Sequence, residues 1–232
     1  MEFENKIYTK EDFIDIFLDL GIHQGSKVLL EADLSRYTNV IGNYQMLIET
    51  LQEVITPAGC LCMPCFSYSC LDPACLENVY PYEAWKEVRA CLPGYHVVYT
   101  PSEIYKDCTN LFLRYKDVYR SDHPVYSFAY WGNFDISVLK VDVNEAISLK
   151  SSLAFLHEKN ACNLLIGVKP EESLLVQALA SEYQLGQMVI QRAFIHSKRR
   201  LTKSFMIQRV DFSLAKDLLD CCEMKRSTSS LE

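Results

Sequence analysis

No stretch of the 232 residues runs apolar for the roughly 18 to 20 positions that a membrane-spanning helix needs. The opening segment MEFENKIYTKEDF is charged throughout and lacks the apolar core of an export signal. Clustered basic residues are equally scarce. With 23 Lys and Arg against 30 Asp and Glu, the net charge is −7, which argues against a general affinity for nucleic-acid phosphates. The single basic run, Lys198, Arg199, Arg200 and Lys203, is short and reads as a solvated face. There is no internal repeat and no low-complexity linker to mark a second domain. These absences set the expectation of a cytoplasmic protein with neither membrane nor nucleic-acid partners. It forms one domain over residues 1–224, followed by a disordered tail over 225–232.

Cysteine is abundant, with ten residues, yet the setting of a secreted disulfide scaffold is missing, so reduced thiols are expected. Cys60, Cys62 and Cys65 lack the second knuckle of a zinc site, and alternation puts Cys60 and Cys62 on the same face of a buried strand. No metal is assigned. Cys65 as a nucleophile would need a neighbouring base or helix start, and the sequence shows neither.

The apolar periodicity alternates between helix and strand. Thr9 to Leu20 reads as a helix with Thr9 as N-cap and Asp12 in the capping-box position. Lys27 to Glu31 and Cys60 to Pro64 read as buried strands, with a helix from Asn43 to Ile55 between them. Leu71 to Pro101 shows little periodicity and reads as a long surface excursion. Further on come a helix from Asp107 to Tyr115, a strand from Leu164 to Val168 and a helix from Leu174 to Tyr183. Short strands at Val189-Ile190, Phe194-Ile195 and Phe205 to Ile207 precede a last helix from Ser213 to Cys222. Alternating strands and helices predict a layered α/β domain, whose strand ends are the expected place for ligands.

The segment from Arg120 to Gly132 gathers Arg120, Ser121, His123 and Ser127 beside Pro124. As bare chemistry it is a polar loop entering an apolar strand. His123 is either a base or a histidine fixed by the turn at Pro124. The segment resembles the aminoglycoside 3-N-acetyltransferase family, whose pattern here runs close to R-S-x-H-P-x-x-S-x-A-x-W-G. Colinear matches include Leu20-Gly21, Leu34-Ser35, Pro57 and Gly59, Met63-Pro64, Thr100-Pro101-Ser102, Ser152-Leu153 and Gly167-Val168.

The resemblance covers about residues 12 to 185 and implies a three-layer α/β/α sandwich. It also implies acetyl transfer from acetyl-CoA, as co-substrate, to an amine of an aminoglycoside, with antibiotic resistance as the setting. An amino sugar of a surface polysaccharide is the alternative small-molecule acceptor. It assigns the coenzyme A side to Asp33, Leu34, Ser35, Gly42, Ser102 and Ser152, and places His123 and Ser127 near the reacting centre. The oligomeric state stays open, a homodimer included.

The chain departs from the family pattern at several positions. Glu31-Ala32-Asp33 stands where the family often has His-Ser-Ser, and Glu103-Ile104-Tyr105 where it has Asp-Met-Gly. The helix that in the family carries a His with a Glu three positions on has Gln177 and Ala180 here. Glutamine can orient a substrate but cannot take its proton. A catalytically degenerate member that binds coenzyme A or an amino sugar without turnover is therefore the rival reading.

Overall fold

The computed structural model describes residues 6–150, 152–157, 161–197, 201–210, 217–220 and 222–227. Helix α1 (Lys10–Asp19) begins at Thr9. The Thr9 N–H donates to Asp12 Oδ2 at 2.9 Å and the Asp12 N–H returns a bond to Thr9 Oγ1, closing the expected capping box. Strand β1 (Lys27–Ala32) follows, then α2 (Asn43–Ile55) and β2 (Cys60–Phe66). The strand expected to end at Pro64 continues to Phe66. β1 pairs with β2 only over Cys60 to Cys62, so Pro64 sits where that side of β2 carries no ladder.

The expected surface excursion holds a short helix, α3 (Trp85–Cys91), between irregular turns. Helix α4 (Lys106–Phe112) precedes β3 (Tyr119–Arg120) and β4 (Tyr126–Gly132), and β5 (Ala161–Ile166) leads to α5 (Leu174–Glu182). The short C-terminal strands resolve into two nine-residue strands, β6 (Gln187–Ile195) and β7 (Leu201–Arg209), which pair antiparallel along their whole length. Lys198 to Arg200, Ser151, residues 213–216 and 221 of the expected last helix and residues 228–232 of the expected tail lie outside the described residues.

The main sheet has the order β3-β4-β2-β1-β5. β2, β1 and β5 are parallel, whereas β4 runs antiparallel to β2 and to β3. Side chains alternate between two cores. On one face Val28, Leu30, Leu61 and Met63 pack against α1, α2 and α4 through Phe13, Phe17, Leu47, Leu51 and Phe112. Fully burying side chains of this size stabilises by about 1.5–3 kcal/mol each. On the other face Leu29, Cys60, Cys62, Phe128 and Tyr130 pack against Leu174 and Ala178 of α5, with Ala193 and Phe205 of the hairpin. The result is a helix/sheet/helix sandwich whose second outer layer combines one helix with a hairpin. The described cysteines are all free thiols, and no described helix is long and apolar enough to cross a membrane.

Candidate active site

The parallel strands β1, β2 and β5 end on the edge where β4 begins, the edge from which ligand-binding loops emerge in α/β sheets. The loop after β1 is tied to β5, because the Asp33 N–H donates to the Ile166 carbonyl at 2.8 Å. Gly167 sits at φ +68°, and a Cβ there would strike the Asp33 carbonyl. Leu34 is buried and gives its N–H to the Tyr44 hydroxyl at 2.9 Å. Ser35 is exposed and gives its N–H to Asp33 Oδ1 at 2.9 Å. Hydrogen bonds from the Ser35 hydroxyl and N–H hold the Asp33 carboxyl below its ordinary range.

The other positions assigned to the coenzyme A side differ in exposure. Gly42 is exposed and caps α2 at φ +75°, where a Cβ would press against Met46 at 2.8 Å; helix geometry by itself demands a glycine. Ser102 is buried, its hydroxyl donating to the Ile104 carbonyl at 2.9 Å. Ser152 is buried and its carbonyl accepts from the Tyr130 hydroxyl at 2.6 Å.

Glu31, ahead of that loop on β1, is turned inward and is 0% exposed. It shares the α5 side of the sheet with Leu29. Its Oε1 accepts from Asn163 Nδ2 and from the Leu174 N–H in the first turn of α5, both at 3.0 Å, and its Oε2 accepts from the Tyr105 hydroxyl at 3.0 Å. Burial pushes the carboxyl up, against the opposing pull of these three bonds. A helix start that could receive an external anion thus already holds an internal one.

The residues expected near the reacting centre do not converge. Ser127 shares its face with Ala129, on the side of α1, α2 and α4, whereas Gln177 belongs to the opposite layer. The Ser127 hydroxyl donates to the Cys65 carbonyl at 2.8 Å and accepts from Arg120 Nε at 2.9 Å. Arg120 also donates to the Cys65 and Thr100 carbonyls and to the Ser67 hydroxyl, and its guanidinium lies 5.1 Å from the centre of the Tyr95 ring. Ser127 therefore belongs to a buried clamp that joins β2, β4 and the loop at Thr100.

His123 is 0% exposed. Its Nδ1 accepts from the N–H groups of Val125 (3.1 Å) and Tyr126 (2.8 Å), which leaves Nε2 to donate to the Val143 carbonyl at 3.1 Å. Burial holds the ring neutral, pulling its pKa down to about 4. With both nitrogens engaged, the ring has no lone pair to offer a substrate proton, and it fixes the turn at Pro124. Of the remaining histidines His23 and His196 are exposed, whereas His96, expected at the surface, is half-buried and stacked on Tyr99 with ring centres 4.4 Å apart. Burial pushes the Cys65 thiol up to about 12, which removes it as a nucleophile.

Gln177 is half-buried on α5 and lines a narrow cleft of about 40 Å³ with Ser181, Tyr126, Asn144 and Met206. His123 lies behind Tyr126 and Val143, two walls of this cleft. Tyr126 donates from its hydroxyl to Gln191 Oε1 at 2.9 Å, and burial pushes that phenol up to about 12. Among the described residues no His, Lys, Asp or Glu lines the cleft. Ala180 is fully buried, and Glu182, on another face of α5, pairs with Lys150 at 3.1 Å. Sequence reasoning missed Tyr126 and Asn144, which the fold brings to Gln177 from β4 and a loop without a local signal.

The model of the family described as aminoglycoside 3-N-acetyltransferase matches residues 29–176. The chain belongs to the aminoglycoside 3-N-acetyltransferase family. It is 31% identical over 188 residues to the SPbeta prophage-derived aminoglycoside N(3′)-acetyltransferase-like protein YokD of Bacillus subtilis (strain 168), covering 79% of this chain and 68% of that protein. The crystal structure of YokD superposes with a TM-score of 0.80 at 26% identity, covering 93% of this chain and 81% of that one. Aminoglycoside acetyltransferase AAC(3)-Xa follows at a TM-score of 0.75 and 24% identity, covering 89% and 75%. AAC-IIIb, solved as a binary complex with CoASH, shares the fold at a TM-score of 0.73 and 13% identity, covering 93% and 84%.

Proposed function

We propose that this family member transfers the acetyl group of acetyl-CoA to an amine of an aminoglycoside or a related amino sugar, by direct attack and without a protein base. The observation that carries the reading is Gln177, half-buried and facing a cleft that Tyr126, the first residue of β4, also lines. Its side-chain amide makes no hydrogen bond among the described residues and is available to orient an acceptor.

Acetyl-CoA, when bound, supplies the activated thioester. The loop suits the neutral amides of its pantetheine arm, because Ser35 and Gly42 are exposed and the Glu31 carboxylate is turned away into the protein. Within that loop Leu34 is buried and Asp33 accepts from the Ser35 N–H. Asp33 stays ionised beside Arg36. The acceptor amine reaches the cleft already deprotonated by water. Its nitrogen forms the new C–N bond as the C–S bond breaks and the thiolate leaves, and the proton the nitrogen sheds is relayed by solvent to that thiolate, so that coenzyme A is released as its thiol. Thiol release recorded with a panel of aminoglycosides and amino sugars tests the reading; no release with any acceptor overturns it.

The second reading is a member that binds coenzyme A or an amino sugar without turnover. It is favoured by the lining of the cleft, in which the one acidic group is the Tyr126 phenol, far from titrating at neutral pH. Calorimetric binding of coenzyme A without thiol release is the outcome it requires.

A further inference from the structure

We propose a second ligand site, for a phosphate monoester with an aromatic or heterocyclic body, at the edge of the sheet opposite the Gln177 cleft. A cavity of about 340 Å³ opens there, beside the first residues of β1 and β2, Lys27 and Cys60. That volume is at the lower end of what small-molecule sites use.

The charge of the lining is opposite to that of the chain. Lys27, Lys140 and Lys150 contribute three positive groups to a protein of net charge −7, against one carboxylate, Asp135. Asp135 is committed to the backbone, accepting from the Ser137 N–H at 2.9 Å, and that bond holds it ionised below its ordinary range. Lys150 is held at the rim by Glu182 at 3.1 Å. Ammonium groups without an arginine fork act as point charges, the arrangement suited to a phosphate. The Gln177 cleft is lined by no charged side chain among the described residues. The two sites therefore select different ligands.

The inner wall is aromatic. Phe134 is half-buried and lines the cavity, backed by the fully buried Tyr130, whose ring centre lies 5.3 Å from that of Phe134 and 6.5 Å from that of Phe155 and whose hydroxyl is committed to the Ser152 carbonyl. A flat ring fits against such a wall with its phosphate toward the lysines. The lining holds no histidine, and burial pushes the Cys60 thiol up to about 12, so the site binds its ligand without reacting with it.

Calorimetry with AMP as the probe, beside adenosine and inorganic phosphate, tests the proposal on the full chain. AMP is expected to bind, with adenosine and inorganic phosphate each weaker by about tenfold or more. Affinity should fall as salt is raised. Lys140→Ala combined with Lys150→Ala removes exposed side chains only and should weaken AMP by about tenfold, with the unfolding temperature confirming the fold. Ser137→Trp, which fills the mouth, should abolish binding, while Gln177→Ala should leave it unchanged. Three results overturn the proposal: no AMP binding up to about 1 mM, equal affinity in the folded double-lysine variant, or loss of AMP binding in Gln177→Ala.

Discussion

The Tyr105 hydroxyl donates to Glu31 Oε2 at 3.0 Å, joining two positions 74 residues apart in the chain. Together they form one unit. Tyr105 stands at φ +43° before α4, a conformation that suits glycine, and its ring reaches the only buried carboxylate on β1. Tyr105→Phe should leave one lone pair of Glu31 unpaired and cost about 1–3 kcal/mol in a denaturant titration. Glu31→Ala strands the Asn163 and Leu174 donors as well and should cost more than Tyr105→Phe.

Glu31 also gives a signed pH dependence. Its carboxyl is raised by burial, so the folded protein holds its proton more tightly than the unfolded chain. Its contribution to stability is fully present below the ordinary glutamate pKa and declines as pH rises toward the raised one. Glu31→Gln should lack that decline while keeping an acceptor for Leu174. The difference between wild type and variant, followed by denaturation across acidic to neutral pH, checks the sign.

His123 works in the opposite direction. With its pKa pulled down to about 4, the neutral ring contributes stability that is present above the ordinary histidine pKa and is lost as pH falls toward 4. The shift corresponds to about 3 kcal/mol. His123→Gln should be less stable than wild type at pH 7 and should lose less on acidification to pH 4.5. The pH profile of acetyl transfer should keep its shape in this variant.

Arg120 is a buried cation with no carboxylate partner among the described residues, satisfied by carbonyls and hydroxyls around it. Lysine has neither the planar fork nor the five donors to span Ser127, Ser67 and two carbonyls. Arg120→Lys should cost about 3 kcal/mol or more, read from the denaturation midpoint.

How much of this was legible in the sequence follows from how local each cause is. Helix α2 was readable from end to end, because the period of Leu47, Ile48, Leu51 and Ile55 and the break at Thr56-Pro57 are adjacent signals. The Thr9/Asp12 capping box was equally local. The hairpin was not, since Val189-Ile190 and Phe194-Ile195 belong to one strand whose polar middle is held by pairing with β7. In the site, Gln177 was singled out by the resemblance to the family and by no local signal. The inward turn of Glu31 was not legible, because Tyr105, Asn163 and Leu174 meet it only after β1, β5 and α5 have assembled. Ser127 and His123 carried the strongest motif, yet alternation along β4 and the turn at Pro124 place them in buried supporting roles.

Two substitutions on α5 should separate chemistry from stability. Gln177→His alters a half-buried position and should be tolerated, whereas Ala180→Glu places a carboxyl at a site with 0% exposure and should cost several kcal/mol, roughly 3 or more. Thermal unfolding of the two single variants distinguishes them.

The most direct test of transfer without a protein base is the pH dependence of thiol release from acetyl-CoA in wild type and Gln177→His, with the same amine acceptor. The account predicts a wild-type rate that climbs steadily with pH up to the pKa of the acceptor, and a new break near the histidine pKa of about 6.5 in the variant. A break in that range in the wild type would show that a protein base is at work and would contradict the account.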